Sequence, residues 1–218
     1  MSNEAFSELR RTLGSEVHVW RWSGPRADPR LEVLLAAYLD LPRSELRWSV
    51  GPHGKPSLSA GPLAINWSHC DGELLLALSE GTEVGVDLEM PRPLRRRQAL
   101  LERAFTPDER AALAHVDDAD VLRAWAHKEA LVKAIGRGIA YGLNRIEFDL
   151  TEVSRPRLHA LSGPAAPASA WQVHALPQPD NALAAVAWAG GARTVRQFCL
   201  DAATERPRPA SFAETPGS

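Results

Sequence analysis

From Val84 to Glu89 the chain alternates with period two, so Val84, Val86 and Leu88 share one face of a strand while Gly85, Asp87 and Glu89 share the other. Further along, Trp125, Glu129 and Lys133 recur every fourth residue, which lines them up on one face of a helix from about Asp120 to Ile135 that stops at Gly136. A fold that carries both segments has a strand with two acids on one face and a helix with an acid and an ammonium one turn apart. Everything else in the chain must accommodate them.

Asp87 and Glu89 sit about 7 Å apart along the strand. Their repulsion is relieved either by solvent at an exposed strand edge or by a divalent cation. Gly85 leaves room beside them for a ligand. Taken alone, Glu129 and Lys133 form a surface pair contributing about 0.2–0.5 kcal/mol. Taken with the strand, Glu129 supplies a third carboxylate for a hard oxygen site suited to magnesium, and Lys133 a compact positive charge for phosphate.

Other segments frame these two. Leu31 to Leu39 reads as an amphipathic helix ending before Pro42, and Glu45 to Val50 as a strand. The loop Gly51 to Pro56 either holds a ligand or turns the chain. Leu63 to Ser68 and Glu73 to Ser79 form a hairpin through Asp71-Gly72, and Val84 to Glu89 is expected beside them as the third strand of one antiparallel sheet. Ser68 and His69, at the end of the first of these strands, carry a hydroxyl and an imidazole able to bond phosphate oxygens. Thr106-Pro107-Asp108-Glu109 has the pattern of a helix start, with a capping threonine and a glutamate three residues on. Further strands are expected over Arg145 to Leu150, Trp171 to Leu176 and Ala182 to Trp188.

With 25 basic residues against 27 acidic ones, the chain shows no global charge suited to nucleic acid or an anionic membrane. Cys70 and Cys199 match no metal or redox spacing, which points to reduced thiols and a cytoplasmic setting. The apolar run Ala182 to Ala189 is too short to span a bilayer, and the first residues lack the apolar core of a signal peptide. The run Arg95-Arg96-Arg97, with Arg92, reads as a solvated face or a docking patch for an acidic partner.

Four blocks in order resemble the Sfp-type 4'-phosphopantetheinyl transferases. Gly54-Lys55-Pro56 resembles that family's Gly-Lys-Pro, Asn66-Trp67-Ser68-His69 its Asn-x-Ser-His, and Gly85 to Glu89 its Gly-[Ile/Val]-Asp-x-Glu. Trp125 to Gly138 resembles its Trp-x-x-Lys-Glu-Ala-x-x-Lys-Ala-x-Gly-x-Gly, the most specific of the four, and Phe105 to Glu109 its Phe-[Ser/Thr]-x-x-Glu. The resemblance covers about Leu31 to Leu150. It departs from the family at Cys70, where many members have a second serine, and at the apolar Leu88. It also fails before Leu31, where Arg26 and Arg30 are the nearest basic residues for a 3'-phosphate.

The resemblance implies an α+β fold of two similar halves in pseudo-twofold arrangement, each a small sheet packed with helices. These are expected at 1–92 and 93–202, with a mobile tail over 203–218. It also implies a monomeric transferase that moves 4'-phosphopantetheine from coenzyme A to a serine of an apo acyl- or peptidyl-carrier protein, with magnesium, releasing 3',5'-adenosine bisphosphate. Asp87, Glu89 and Glu129 would hold the metal. Lys133 would contact the diphosphate, Lys55, Pro56, Ser68, His69 and Asp87 would help bind coenzyme A, and Glu129, directly or through a water, would take the serine proton. The alternative is a relative that binds coenzyme A or a carrier without catalysis.

Overall fold

The computed structural model describes residues 3–25, 27–59, 61–200 and 207–209. The first part of the α+β chain runs α1 Asn3–Thr12, β1 Glu16–Ser23, α2 Pro29–Leu39, β2 Trp48–Val50, β3 Pro56–Leu58, β4 Leu63–Cys70, β5 Glu73–Glu80 and β6 Val84–Glu89. Three helices follow, α3 Arg97–Ala104, α4 Pro107–Leu113 and α5 Asp118–Ile135. The last part is β7 Ile146–Asp149, β8 Arg157–Leu161, β9 Trp171–Leu176, β10 Leu183–Ala189, β11 Thr194–Leu200 and β12 Pro207–Pro209.

Two sheets dominate: five strands in the order β12-β11-β1-β5-β4, and three in the order β6-β10-β9. Residue parity on the strands builds the layers. Leu74, Leu76 and Leu78 of β5 join Trp20 and Trp22 of β1 in a core shared with Phe6 and Leu9 of α1 and Leu34 and Leu35 of α2. Their alternates Leu75, Ala77, Val17 and Val19 face Val84, Val86, Leu88, Val186 and Trp188 of the other sheet. The outer face of that second sheet, through Ala185 and Ala187, packs on α5. The order is therefore helices, sheet, sheet, helix, and β6 lies inside with both faces covered.

Burial on both faces corrects the single sheet expected for β4, β5 and β6. The β4–β5 hairpin forms around Asp71 and Gly72, both at positive φ (49° and 82°) as a tight two-residue turn requires. But β6 pairs with β10, Val86 opposite Val186. The Thr82 hydroxyl steers the chain there by donating to the Ala189 carbonyl at 2.7 Å. The open edge of β6 is met by β4 side chains, where Asn66 Oδ1 accepts from the Val86 amide at 2.8 Å.

Across position 92/93, where the division into halves is expected, β6 pairs with β10 in one sheet and β1 lies parallel to β11 in the other. The order β1-β5-β4, with α2 following its first strand, recurs as β6-β10-β9 with α5 following its first strand. Glu45 to Val50 also departs from expectation: Arg43–Glu45 is a 3₁₀ turn and only Trp48–Val50 is strand, paired with β3. Of the tail, 207–209 form the edge strand against β11, and the other residues of 203–218 lie outside those described.

The helix ends follow the local rules. Thr106 and Glu109 make a full capping box with Pro107 in the first turn of α4. Asp117 caps α5 by accepting from the Asp120 amide, and Gly136 ends it in the left-handed conformation at φ 75°. Between the two helices, Lys128 is fully buried, its ammonium 2.6 Å from Glu109 Oε2 and donating also to the carbonyls of Ala104 and Ile146. Glu109 Oε1 accepts from the Phe148 amide. One buried ion pair thus ties α4, α5 and β7 together.

Removing one partner strands the other charge in a dry interior, at a cost of about 3–5 kcal/mol. Lys128→Met is expected to lose stability by that amount in urea unfolding. Adding Glu109→Gln should restore part of it; a double variant as unstable as the sum of the singles would contradict the pairing.

Candidate active site

The acids of β6 meet α5 because the helix backbone lies directly on Gly85. A Cβ built there would come within 2.1 Å of the Ala130 carbonyl oxygen and 2.3 Å of the Ala134 nitrogen. The space expected beside the acids for a ligand is filled by α5, which corrects that reading. Gly85 serves close packing instead. Glu129 and Lys133 each precede a helix residue at this contact, and Asp87 follows Gly85 by two on the same strand face. The crossing therefore brings all three side chains to one place.

Asp87 is 6% exposed. Its Oδ1 accepts from Lys133 Nζ at 2.6 Å and from Ser68 Oγ at 2.9 Å. The ammonium donates further to Ser68 Oγ and to the Val86 carbonyl, both at 3.1 Å. Glu89 Oε2 accepts from Arg92 Nη1 at 2.6 Å. Among the described residues two side-chain oxygens remain buried without a partner, Asp87 Oδ2 and Glu129 Oε1. Buried anionic oxygens in want of a positive partner are what a hard cation or a transferable proton supplies.

Burial first, and then the charges of Asp87 and Glu89, push the Glu129 carboxyl up to about 7, against the pull of Lys133 and Arg103. Burial and Asp87 also raise Glu89, opposed by Arg92 and Trp125. The charge of Asp87 thus bears on both glutamates, which couples the carboxylates electrostatically. They are not a finished metal cage: among the described residues no three His, Cys, Asp or Glu side chains are grouped to hold an ion. Magnesium does not require one, since it commonly takes one or two carboxylates and completes its shell with water and substrate phosphate. The donor chemistry and the orphaned oxygens fit such an ion.

The remaining sequence candidates divide. Ser68 belongs to the cluster, bridging Lys133 and Asp87. Lys55 does not. Its three ammonium donors go to Glu83 Oε2 at 2.6 Å, the Val84 carbonyl at 3.0 Å and the Ala134 carbonyl at 3.3 Å, about three strand residues, or about 10 Å, from Asp87. It clamps the Gly51 to Pro56 loop onto the end of α5. Lys55 and Pro56 line a groove of about 610 Å³ with Ile135 and Gly136, away from the acids. His69 is half-buried and bonds the Gly24 carbonyl at 3.2 Å.

Arg30 is engaged by Asp28 and the Ser23 carbonyl, and Arg26 lies outside the described residues. In the basic run, Arg97 is held by Asp118 and two carbonyls, leaving Arg95 and Arg96 exposed. Two roles are not read from the sequence: Asn66 closes the edge of β6, and Arg92 partners Glu89. The signal for the first was present, since Asn66 and Ser68 alternate onto one face of β4.

A carboxyl whose folded value is raised stays protonated where the unfolded chain has already ionised. Its stabilising effect is therefore complete below the ordinary value of 4.5 and is lost as pH rises toward 7. Stripped of divalent ions, the protein is expected to lose on the order of 3 kcal/mol across that range relative to Glu129→Gln. Urea unfolding at stepped pH checks this, and parallel curves for the two proteins would contradict the buried acid.

The sequence model of the 4'-phosphopantetheinyl transferase superfamily matches residues 83–187. The 4'-phosphopantetheinyl transferase HetI of Nostoc sp. strain PCC 7120 is 33% identical over 168 residues, 73% of this chain and 68% of that protein. The 4'-phosphopantetheinyl transferase AcpT of Salmonella typhimurium is 36% identical over 51% of this chain and 62% of its own. The human L-aminoadipate-semialdehyde dehydrogenase-phosphopantetheinyl transferase is 31% identical over 56% of this chain and 44% of its own. The chain thus spans less than two thirds of the latter two. The family match begins at the strand bearing both acids and includes all of α5, and with the similarity to HetI it shows that the chain belongs to the 4'-phosphopantetheinyl transferase superfamily.

Proposed function

We propose that this protein transfers the 4'-phosphopantetheine group of coenzyme A to a serine hydroxyl of an apo acyl- or peptidyl-carrier protein, with magnesium, releasing 3',5'-adenosine bisphosphate. The observation that carries the proposal is the meeting of Asp87, Glu89, Glu129 and Lys133 across the Gly85 contact, with two buried anionic oxygens left unpartnered.

Asp87, Glu89 and Glu129 would hold the magnesium ion. When bound, the ion offsets the negative charge that grows on the diphosphate oxygens during transfer. Lys133 contributes a positive charge held in place by Ser68 and the Val86 carbonyl, so little reorganisation is needed as charge develops. Glu129 accepts the proton of the attacking serine, directly or through a water. Without metal, burial and the neighbouring acids hold this carboxyl up to about 7; a bound cation would favour its ionised form, the form that accepts a proton. The protein makes no covalent bond, and alignment with charge neutralisation supplies the rate.

We take His69 and the groove beside Lys55 and Pro56 as the neighbouring contacts for coenzyme A, with Lys55 fixing the wall of that groove. The repeated strand-helix-hairpin order supports two halves related by a pseudo-twofold axis, with the second beginning at β6. One chain then carries the whole site and acts as a monomer in the cytoplasm, with no call on nucleic acid or membrane. No described helix is long and apolar enough to cross a bilayer.

The test is the intact mass of an apo carrier protein after incubation with this protein, coenzyme A and magnesium. The carrier should gain one phosphopantetheine, and Glu129→Gln should slow that gain by roughly a hundredfold or more. Binding of coenzyme A with no gain on several carriers would favour a non-catalytic relative instead.

A further inference from the structure

The acidic site is already compensated by cations of the protein's own. Lys133 Nζ lies 2.6 Å from Asp87 Oδ1 and spends its other donors on Ser68 Oγ and the Val86 carbonyl. Arg92 Nη1 lies 2.6 Å from Glu89 Oε2. The fully buried carboxylate oxygens left without a partner, Asp87 Oδ2 and Glu129 Oε1, belong to two different side chains on two different elements. A divalent ion seated on these two oxygens shares the Asp87 carboxylate with the Lys133 ammonium on its other oxygen, so the two positive charges compete for one acid.

We propose that Lys133, assisted by Arg92, is an internal counter-ion that a divalent cation displaces, so that the cation and the diphosphate bind as a coupled pair rather than in turn. This rests on the transferase reading above and deepens it. With all three acids ionised, the two resident cations leave the cluster one negative charge. A divalent ion alone reverses that to one positive, and a doubly charged diphosphate alone worsens it to three negative. The two together restore the original balance. The diphosphate receives the released ammonium while the ion takes over the carboxylate, so each partner raises the affinity of the other by the same factor. Lys133 carries most of this effect, being mostly buried, whereas Arg92 is half-exposed and screened.

Manganese ion, whose free form is counted by electron paramagnetic resonance, serves as the probe. It is titrated into metal-free wild type, Lys133→Met and Lys133→Gln, with and without coenzyme A. The second neutral variant guards against misfolding of the first, and thermal unfolding checks both. Wild type is expected to bind the ion weakly alone and far more tightly with coenzyme A.

Each Lys133 variant should bind the ion alone roughly tenfold or more tightly than wild type, a modest part of what one charge a few ångström away is worth even when screened. Its gain from coenzyme A should shrink accordingly. Arg92→Gln should change the ion-alone affinity by less than about threefold. Ion-alone affinity unchanged or weaker in the folded Lys133 variants, with carrier modification and coenzyme A-dependent ion binding by wild type intact, would overturn the exchange alone. Wild type that neither binds the ion with coenzyme A nor modifies a carrier would overturn the transferase reading with it.

Discussion

Where α5 crosses β6, the Ala130 carbonyl and the Ala134 amide come so near Gly85 that even a methyl group there would overlap them, at 2.1 and 2.3 Å. Strand and helix differ in period, so side chains from the two elements converge only near such a crossing. Asp87 leaves the strand two residues beyond it, and Glu129 and Lys133 leave the helix one position before the contact residues Ala130 and Ala134. A larger residue at position 85 would lift the helix and separate the acid of one element from the acid and ammonium of the other. The glycine is thus part of the site through the space it does not occupy.

The rest of the structure holds that crossing in place. On the helix, residues alternate between duties within a single turn: Lys128 points into the dry interior toward Glu109, and Glu129 points at the acids of β6. On the strand, Val84, Val86 and Leu88 seal the space between the sheets while Asn66 of β4 satisfies the amide of Val86. A strand clasped on both faces and along its open edge has little freedom to slip, which keeps three like charges close despite their repulsion. Burial first, and then this repulsion, raises the Glu129 and Glu89 carboxyls. The cluster is therefore a strained arrangement held by packing, the condition under which a cation or a proton is taken up readily.

Much of this was legible in the residues. Period two and period four assigned β6 and α5 their faces, the Asp71-Gly72 turn and the Thr106 capping box were read directly, and the motif blocks pointed to the family. What escaped were relations between elements. β1, the central strand of the larger sheet, was not read because both its faces are buried, so His18 and Arg21 interrupt any clean alternation among Val17, Val19, Trp20 and Trp22. The pairing of β6 with β10 rather than β5 depends on which faces each strand buries, which local pattern does not encode. Gly85 was noticed, but as room for a ligand. The bonds of the Lys55 ammonium to Glu83 and two carbonyls are likewise something no spacing along the chain reveals.

The most direct test of this account is the Gly85→Ala protein, assayed for carrier modification at a temperature where circular dichroism shows it folded. If the crossing sets the site, the folded variant should fall by roughly a hundredfold in transfer rate, the scale of loss expected when catalytic groups shift by about an ångström. A folded Gly85→Ala protein that modifies the carrier as fast as wild type would contradict the claim that this contact assembles the acids and the lysine.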